Sequence, residues 1–102
     1  MSIKTITKAD IVDEISKNSG LTRSETKQVV EGVIDTVINT IADGDRIELR
    51  GFGVFKSKAR RPRIARNPKT GKSVPLDERF VPVFKASPIF YKKVNESIKN
   101  KK

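Results

Sequence analysis

The stretch from Lys56 to Glu78 occupies 23 residues of a 102-residue chain and contains few apolar side chains. Its apolar residues are Ala59, Ile64, Ala65, Val74 and Leu76. They are too few to form a hydrophobic core, and Asn67 to Gly71 in the middle of the stretch is a strong turn signal. We therefore expect residues 56–78 to form a two-stranded β-ribbon, called the arm below, that leaves the body of the protein and is ordered by a ligand.

The residues before the arm follow the spacing of helices. Thr7 to Asp10 and Thr22 to Glu25 have the form of capping boxes, which begin helices. Gly20 suits the left-handed end of the first helix. Behind the second box, apolar residues recur at intervals of three and four positions: Val29, Val30, Val33, Ile34, Val37, Ile38 and Ile41. This pattern predicts an N-terminal αα-hairpin over about residues 7–43.

The residues on both sides of the arm follow the spacing of strands. Arg46 to Arg50 alternates polar and apolar residues, and Gly51 to Gly53 permits a tight bend. Phe80 to Phe84 predicts a further strand, and Ser87 before Pro88 predicts a short C-terminal helix over about residues 87–98. We expect one α+β domain of residues 1–102, with a three-stranded antiparallel sheet over about residues 46–84 that carries the arm.

The body that remains without the arm is about 80 residues long, close to the lower limit for a well-buried monomer. Dimerisation would cover its apolar surfaces. The residues expected in the dimer core are Val30, Ile34, Ile38, Phe52, Phe55 and Phe84. A homodimer and a heterodimer with a paralogue would present the same faces, so the sequence leaves both open.

The positive charge is concentrated in the second half of the chain. Residues 1–50 have a net charge of −2, residues 51–102 a net charge of +12, and residues 54–72 contain eight basic and no acidic side chains. The eight are Lys56, Lys58, Arg60, Arg61, Arg63, Arg66, Lys69 and Lys72. A solvated face would explain a charge run, but strand-like and turn-like residues frame this one, which favours a polyanionic partner.

Duplex DNA and RNA are the two candidate polyanions. Proteins that read single strands or RNA usually present aromatic side chains for base stacking. The arm has none, and Phe52, Phe55, Phe80 and Phe84 are expected on apolar faces. Duplex DNA is therefore favoured, and a basic RNA-binding or ribosome-associated protein is the alternative.

Catalysis, cofactors and membranes are disfavoured by what the chain lacks. It has no Cys and no His, which removes the commonest nucleophile, general base and metal ligands. The acids Asp43, Asp45 and Glu48 are explained by a turn that ends a helix. No apolar run reaches the roughly 18 to 20 residues of a membrane span, and acids occur where a signal peptide would be apolar. We expect a cytoplasmic protein that is not an enzyme and binds no cofactor or metal.

Three motifs in order resemble the bacterial HU and integration host factor family of histone-like DNA-bending proteins. They are Gly51-Phe52-Gly53-x-Phe55, Arg66-Asn67-Pro68-Lys69-Thr70-Gly71 and Val81-Pro82-x-Phe84, and the match extends over roughly Ile6 to Ile98. The resemblance implies an intertwined, nucleoid-associated dimer whose arms enter the minor groove of bent or distorted DNA. It implies that Pro68 is a wedge inserted between base pairs, with Arg66 and Asn67 beside it and Lys58, Arg60 and Arg63 along the backbone and groove.

Two further segments bear on the resemblance. Glu48-Leu49-Arg50 is similar to a Glu-Ile-Arg segment of the integration host factor beta subunit, which implies that Arg50 meets the minor groove and Glu48 orients it. Ala86-Ser87-Pro88 stands where many members of the family have a lysine, which the resemblance implies would bind a DNA phosphate from the body of the protein. Lys85, Lys92 or Lys93 would have to make this contact instead. HU-like binding with little sequence preference and binding at preferred sites both remain open.

Overall fold

The computed structural model describes residues 3–101, with the backbone alone at positions 63, 65, 74 and 76. Its elements are α1 (Lys8–Ser19), α2 (Arg23–Ala42), β1 (Ile47–Leu49), β2 (Gly53–Arg60), β3 (Arg63–Arg66), β4 (Ser73–Leu76), β5 (Arg79–Ala86) and α3 (Pro88–Lys99). The chain divides into two compact units, one ending at Ile38 and the other beginning at Asn39. The predicted α+β class is confirmed.

Both predicted capping boxes are present in the first unit. The Thr7 amide donates to the Asp10 carboxylate over 2.9 Å, and this hydrogen bond, with that of the Thr7 hydroxyl, holds the pKa of Asp10 below its ordinary value. The Glu25 amide donates to the Thr22 hydroxyl over 3.1 Å, and hydrogen bonds from Thr22 lower the pKa of Glu25 in the same way. Gly20 ends α1 with a φ of 77°. Local hydrogen bonding therefore fixes where both helices begin.

Two salt bridges join α1 to α2 in this unit. The Lys8 ammonium lies 2.6 Å from the Glu31 carboxylate, and the Arg23 guanidinium lies 3.0 Å from the Asp13 carboxylate. Val12 and Thr26 are buried, and the Thr26 hydroxyl donates to the Thr22 carbonyl over 2.8 Å. Val30, Val37 and Ile41 of α2 are half-buried in the single chain, whereas Val29, Val33, Ile34 and Ile38 are exposed, as in Ile38, which is 58% exposed.

The second unit contains a three-stranded antiparallel sheet in the order β1-β2-β5. The Phe52 amide donates to the Leu49 carbonyl over 2.9 Å and closes the turn between β1 and β2, in which Gly51 has a φ of 82°. Gly53 opens β2 opposite Ala86, and its backbone is buried against β5. Pro82 lies in β5, which is an edge strand of the sheet.

Four phenylalanines form an aromatic cluster in this unit. Phe52 lies with its ring centroid 5.1 Å from that of Phe84 and 5.5 Å from that of Phe90, and the Phe55 and Phe84 centroids are 4.7 Å apart. Phe90 belongs to α3 and was not among the expected core residues. Phe52 remains 43% exposed, so the cluster has an open apolar surface.

The arm is a ribbon in two segments. β2 and β5 pair from Gly53 opposite Ala86 to Arg60 opposite Arg79, and β3 and β4 then pair as a separate two-stranded sheet. Two residues in each strand, at positions 61–62 and 77–78, interrupt the ladder between the segments. The sequence pattern predicted a ribbon without this break. Pro62 accounts for the break on its strand, because it has no amide hydrogen for a ladder hydrogen bond.

The C-terminal helix begins as the sequence predicted. The Phe90 amide donates to the Ser87 hydroxyl over 3.1 Å, and Pro88 is the first residue of α3. Among the residues that the structure describes, no helix is both long and apolar enough to cross a membrane.

Candidate nucleic-acid interface

Strand register sorts the side chains of β2 and β5 onto two faces of the ribbon. Because paired residues of an antiparallel ladder point to the same face, one face contains Phe55 with Phe84 and Ala59 with Phe80. The opposite face contains Val54 with Lys85, Lys56 with Val83, Lys58 with Val81, and Arg60 with Arg79. We call this second side, with its five cations, the cationic face.

The cations of this face are free to bind an external anion. Lys56, Lys58, Arg60 and Lys85 are exposed, whereas Arg79 is half-buried. Among the side chains that the structure describes, the ion pairs are Lys8 with Glu31, Arg23 with Asp13 and Arg46 with Glu48, and none contains a cation of this face. The face can therefore neutralise phosphates without first breaking a salt bridge.

The tip of the arm is a turn held together by Asn67. The Asn67 amide donates to the Lys72 carbonyl over 2.9 Å, and the Asn67 carbonyl accepts from the Gly71 amide over 2.7 Å. The Asn67 side-chain oxygen accepts from the Lys69 amide over 2.9 Å, and Gly71 has a φ of 73°. The turn thus uses three polar groups of Asn67, which gives this predicted DNA-binding residue a structural role.

Pro68 stands exposed within this turn. None of the hydrogen bonds that close the tip involves it, and it has no amide hydrogen to satisfy. Its rigid ring can therefore enter another molecule without breaking a hydrogen bond of the turn. Lys69 and Lys72 are exposed on the same turn.

The remaining predicted arm cations flank the tip and the break. Arg66 is exposed and pairs with Ser73, on the same face as Ile64 and Pro75. Arg61 is exposed at the break, and the Arg63 backbone pairs with Leu76. Ile64, which the sequence did not single out, is 74% exposed beside these cations. The outer segment therefore combines positive charge with apolar surface.

Glu48 has a salt-bridge partner other than Arg50. It lies opposite Val54 in the register, and its carboxylate is 3.6 Å from the Arg46 guanidinium, with both side chains largely exposed. Arg50 is exposed in the turn that follows β1. Glu48 is thus paired with Arg46 in the single chain, and its role in orienting Arg50 stays a prediction.

Phe80 and Arg79 each have a feature that the sequence pattern did not predict. Phe80 lies on the apolar side of the ribbon, but it is 68% exposed, because it stands further along the strand than the aromatic cluster. Arg79 was not among the predicted binding residues, yet register puts it on the cationic face opposite Arg60. The sequence gives only a weak signal for the face of the ribbon on which these two residues lie, because that face depends on the pairing of β5 with β2.

Comparisons with known proteins agree with this geometry. The family model described as bacterial DNA-binding protein matches residues 6–95. The integration host factor alpha subunit of Allorhizobium ampelinum is 40% identical over 97 residues, which cover 95% of this chain and 87% of that protein. The alpha subunit of Paramagnetospirillum magneticum is 37% identical over 102 residues, covering 100% of this chain and 96% of that protein.

A solved structure shares the fold and part of the sequence. The Anabaena HU–DNA cocrystal structure superposes with a TM-score of 0.81 at 33% identity, covering 86% of this chain and 96% of that chain. Both curated relatives are alpha subunits, so they add no support for the beta-subunit likeness of residues 48–50. The predictions of the family and of a DNA-binding role in place of an enzymatic one are confirmed. The chain belongs to the bacterial DNA-binding protein family, the family of HU and integration host factor.

Proposed function

We propose that this protein is an architectural component of the bacterial nucleoid that binds the minor groove of duplex DNA as a dimer and bends it. The observation that carries the proposal is the ribbon, with an unpaired cationic face near the body and an exposed proline at its tip. The structural likeness to an HU protein crystallised with DNA supports DNA as the polyanionic partner. No cofactor is needed for this role.

The chemistry of binding divides between the cations and the tip. Lysines and arginines on phosphates release counterions, which drives binding without regard to sequence. An apolar wedge such as the Pro68 ring parts two base pairs at a cost of a few kcal/mol, and the resulting bend brings more phosphates to the protein. DNA that is already bent or nicked has part of this cost removed, so we expect it to be preferred.

The open apolar surfaces support a dimer. In the single chain the exposed fraction of the side chain is 58% for Ile38, 43% for Phe52 and 41% for both Ile34 and Phe84. Val30 and Phe55 are half-buried. A second subunit that covers these six positions would remove apolar surface from water. Two chains would also supply two arms, so that one dimer could insert a wedge at each of two sites.

A gel-shift series tests the proposal as a whole. The chain is titrated onto linear, nicked and pre-bent duplexes of equal length and onto an RNA hairpin. We expect the tightest binding to the bent and nicked duplexes and the weakest to the hairpin. Equal or tighter binding to the RNA hairpin would contradict the proposal.

Pro68→Ala tests the wedge separately from affinity. The substitution keeps every hydrogen bond of the tip turn, so it removes only the ring and some stiffness of the backbone. We expect weaker bending of intact duplex at saturating protein, measured by energy transfer between end labels, while much of the affinity for nicked duplex is retained. Pro75→Ala is the matched control, because it removes an exposed proline ring from the same arm away from the tip. Bending by Pro68→Ala as sharp as that of the parent would show that Pro68 is a turn residue only.

A further inference from the structure

The last rung of the β2–β5 ladder pairs two cations. Arg60 and Arg79 are directly opposite each other, immediately before the break in the ribbon. Paired residues of antiparallel strands have Cα atoms about 4.5 to 5.5 Å apart and point to the same face. Like charges in this arrangement destabilise the pair. A ribbon selected only for its own stability would not place two arginines here.

The Arg79 side chain also has an unmet hydrogen-bonding requirement. Its Nη1 atom is buried and has no hydrogen-bond partner among the described residues. A buried guanidinium donor without an acceptor is rare and costly in folded proteins. The acids nearest to it in sequence, Asp77 and Glu78, are exposed and take part in none of the ion pairs of the described chain. Among the described side chains, no acid is paired with Arg60 or Arg79, and the Arg79 side chain has to turn outward before its Nη1 atom can meet an external anion.

We infer that Arg60 and Arg79 together bind one phosphodiester group of the DNA backbone at the break in the ribbon. This inference rests on the proposed function, because it assigns a particular contact within DNA binding. A phosphate has several acceptor oxygens, and guanidinium groups bind such oxygens in pairs of hydrogen bonds. One phosphate between the two guanidinium groups replaces their mutual repulsion with attraction of both to the same anion. It also anchors the DNA backbone at the base of the outer segment, and so fixes where the tip meets the groove.

The inference predicts opposite effects on the free and the bound protein. Arg79→Met retains an unbranched apolar stem but removes the positive charge, its repulsion with Arg60 and the unsatisfied Nη1 donor. The free protein should therefore unfold at a higher midpoint temperature at low salt. Its binding to duplex DNA should show a log–log salt slope smaller by up to about 0.9 per arm, because Arg60 still contacts the phosphate. Lys85→Met is the matched control: it removes a cation from the same strand and face but faces Val54, so it should not raise the midpoint.

A double substitution tests whether the two arginines share one phosphate. If they do, the Arg60→Met, Arg79→Met double variant should lose about 0.9 per arm, the release from one phosphate, and either single variant should lose no more than this, because it leaves one arginine on the phosphate. Arg79→Met combined with Lys85→Met should reduce it by the sum of the single effects. Arg60 is exposed, so its variant keeps the test available even if Arg79→Met does not fold.

The outcomes separate this inference from the proposed function. A parent slope near zero would overturn phosphate-driven binding altogether. A steep parent slope with a loss of about 1.8 per arm in the double variant, twice the release from one phosphate, would leave the proposed function standing and overturn the shared phosphate. A lower midpoint for free Arg79→Met would show that Arg79 stabilises the unliganded ribbon, which also contradicts the inference.

Discussion

Replacing Gly53 with alanine should disrupt the sheet that supports the arm. An added Cβ would lie 2.5 Å from the Lys85 carbonyl oxygen, 2.5 Å from Cε1 of Phe84 and 2.6 Å from its Cζ. Ordinary contacts of a Cβ begin at about 3.4 Å, so both neighbours would have to move by nearly 1 Å. The ring can shift only within the aromatic cluster, and the carbonyl belongs to the neighbouring strand β5. We expect a loss of about 3 kcal/mol, the upper end of the range for overpacked sites.

The assay is urea-induced unfolding followed by circular dichroism at one protein concentration. Gly32→Ala is the matched control, because Gly32 is a helical glycine with no neighbouring atom within 4 Å of an added Cβ. There the substitution should raise stability by about 0.5 to 1 kcal/mol, since alanine has less conformational freedom to lose. If Gly53→Ala proves as stable as the parent, the close approach of β5 to β2 is not a packing constraint and the reasoning is wrong.

Three further results are expected. Affinity of the parent for duplex DNA should fall about 10³- to 10⁵-fold between about 50 and 200 mM salt if about six to ten phosphates are neutralised, and a flat titration would contradict this. Phe52→Ala should cost about 3 to 5 kcal/mol if a partner completes the burial of that ring, and the parent's unfolding midpoint should rise with protein concentration; a constant midpoint argues for a monomer. Because the pKa values of Asp10 and Glu25 are lowered by folding, the stability they add is present above about pH 4.5 and is lost as pH falls through the folded values. An Asp10→Ala, Glu25→Ala double variant should therefore lose less stability between about pH 5 and pH 3, and a profile parallel to that of the parent would refute the assignment.

The elements that the sequence predicted well are those set by neighbouring residues. The helix starts at Thr7, Thr22 and Ser87 depend on a side chain and an amide three positions away, so a short segment contains the whole signal. The tip turn is equally local, because Asn67 bonds groups two to five positions ahead. The family motif lies across these same segments, which is why fold and family could be identified together.

The features that the sequence did not predict depend on pairing between distant strands. Arg60 and Arg79 are 19 positions apart, and nothing in either segment alone sets them opposite each other. The exposure of Phe80 depends on where the aromatic cluster ends along β5, which an alternating pattern does not mark. Glu48 has Arg46 and Arg50 at equal sequence distance, so spacing could not choose between them. The individual roles of the predicted binding residues remain predictions for the experiments above.

The position of Pro82 has a consequence for how readily copies of this protein aggregate through their sheets. β5 is an edge strand, and the exposed backbone of such a strand is a template on which another chain can add a strand. Pro82 offers no amide hydrogen to an incoming strand, and the neighbouring Lys85 adds charge along the same edge. Pro75 does the same for β4 in the outer segment. At high protein concentration, copies of this chain should thus have a lowered tendency to pair their sheets into intermolecular aggregates.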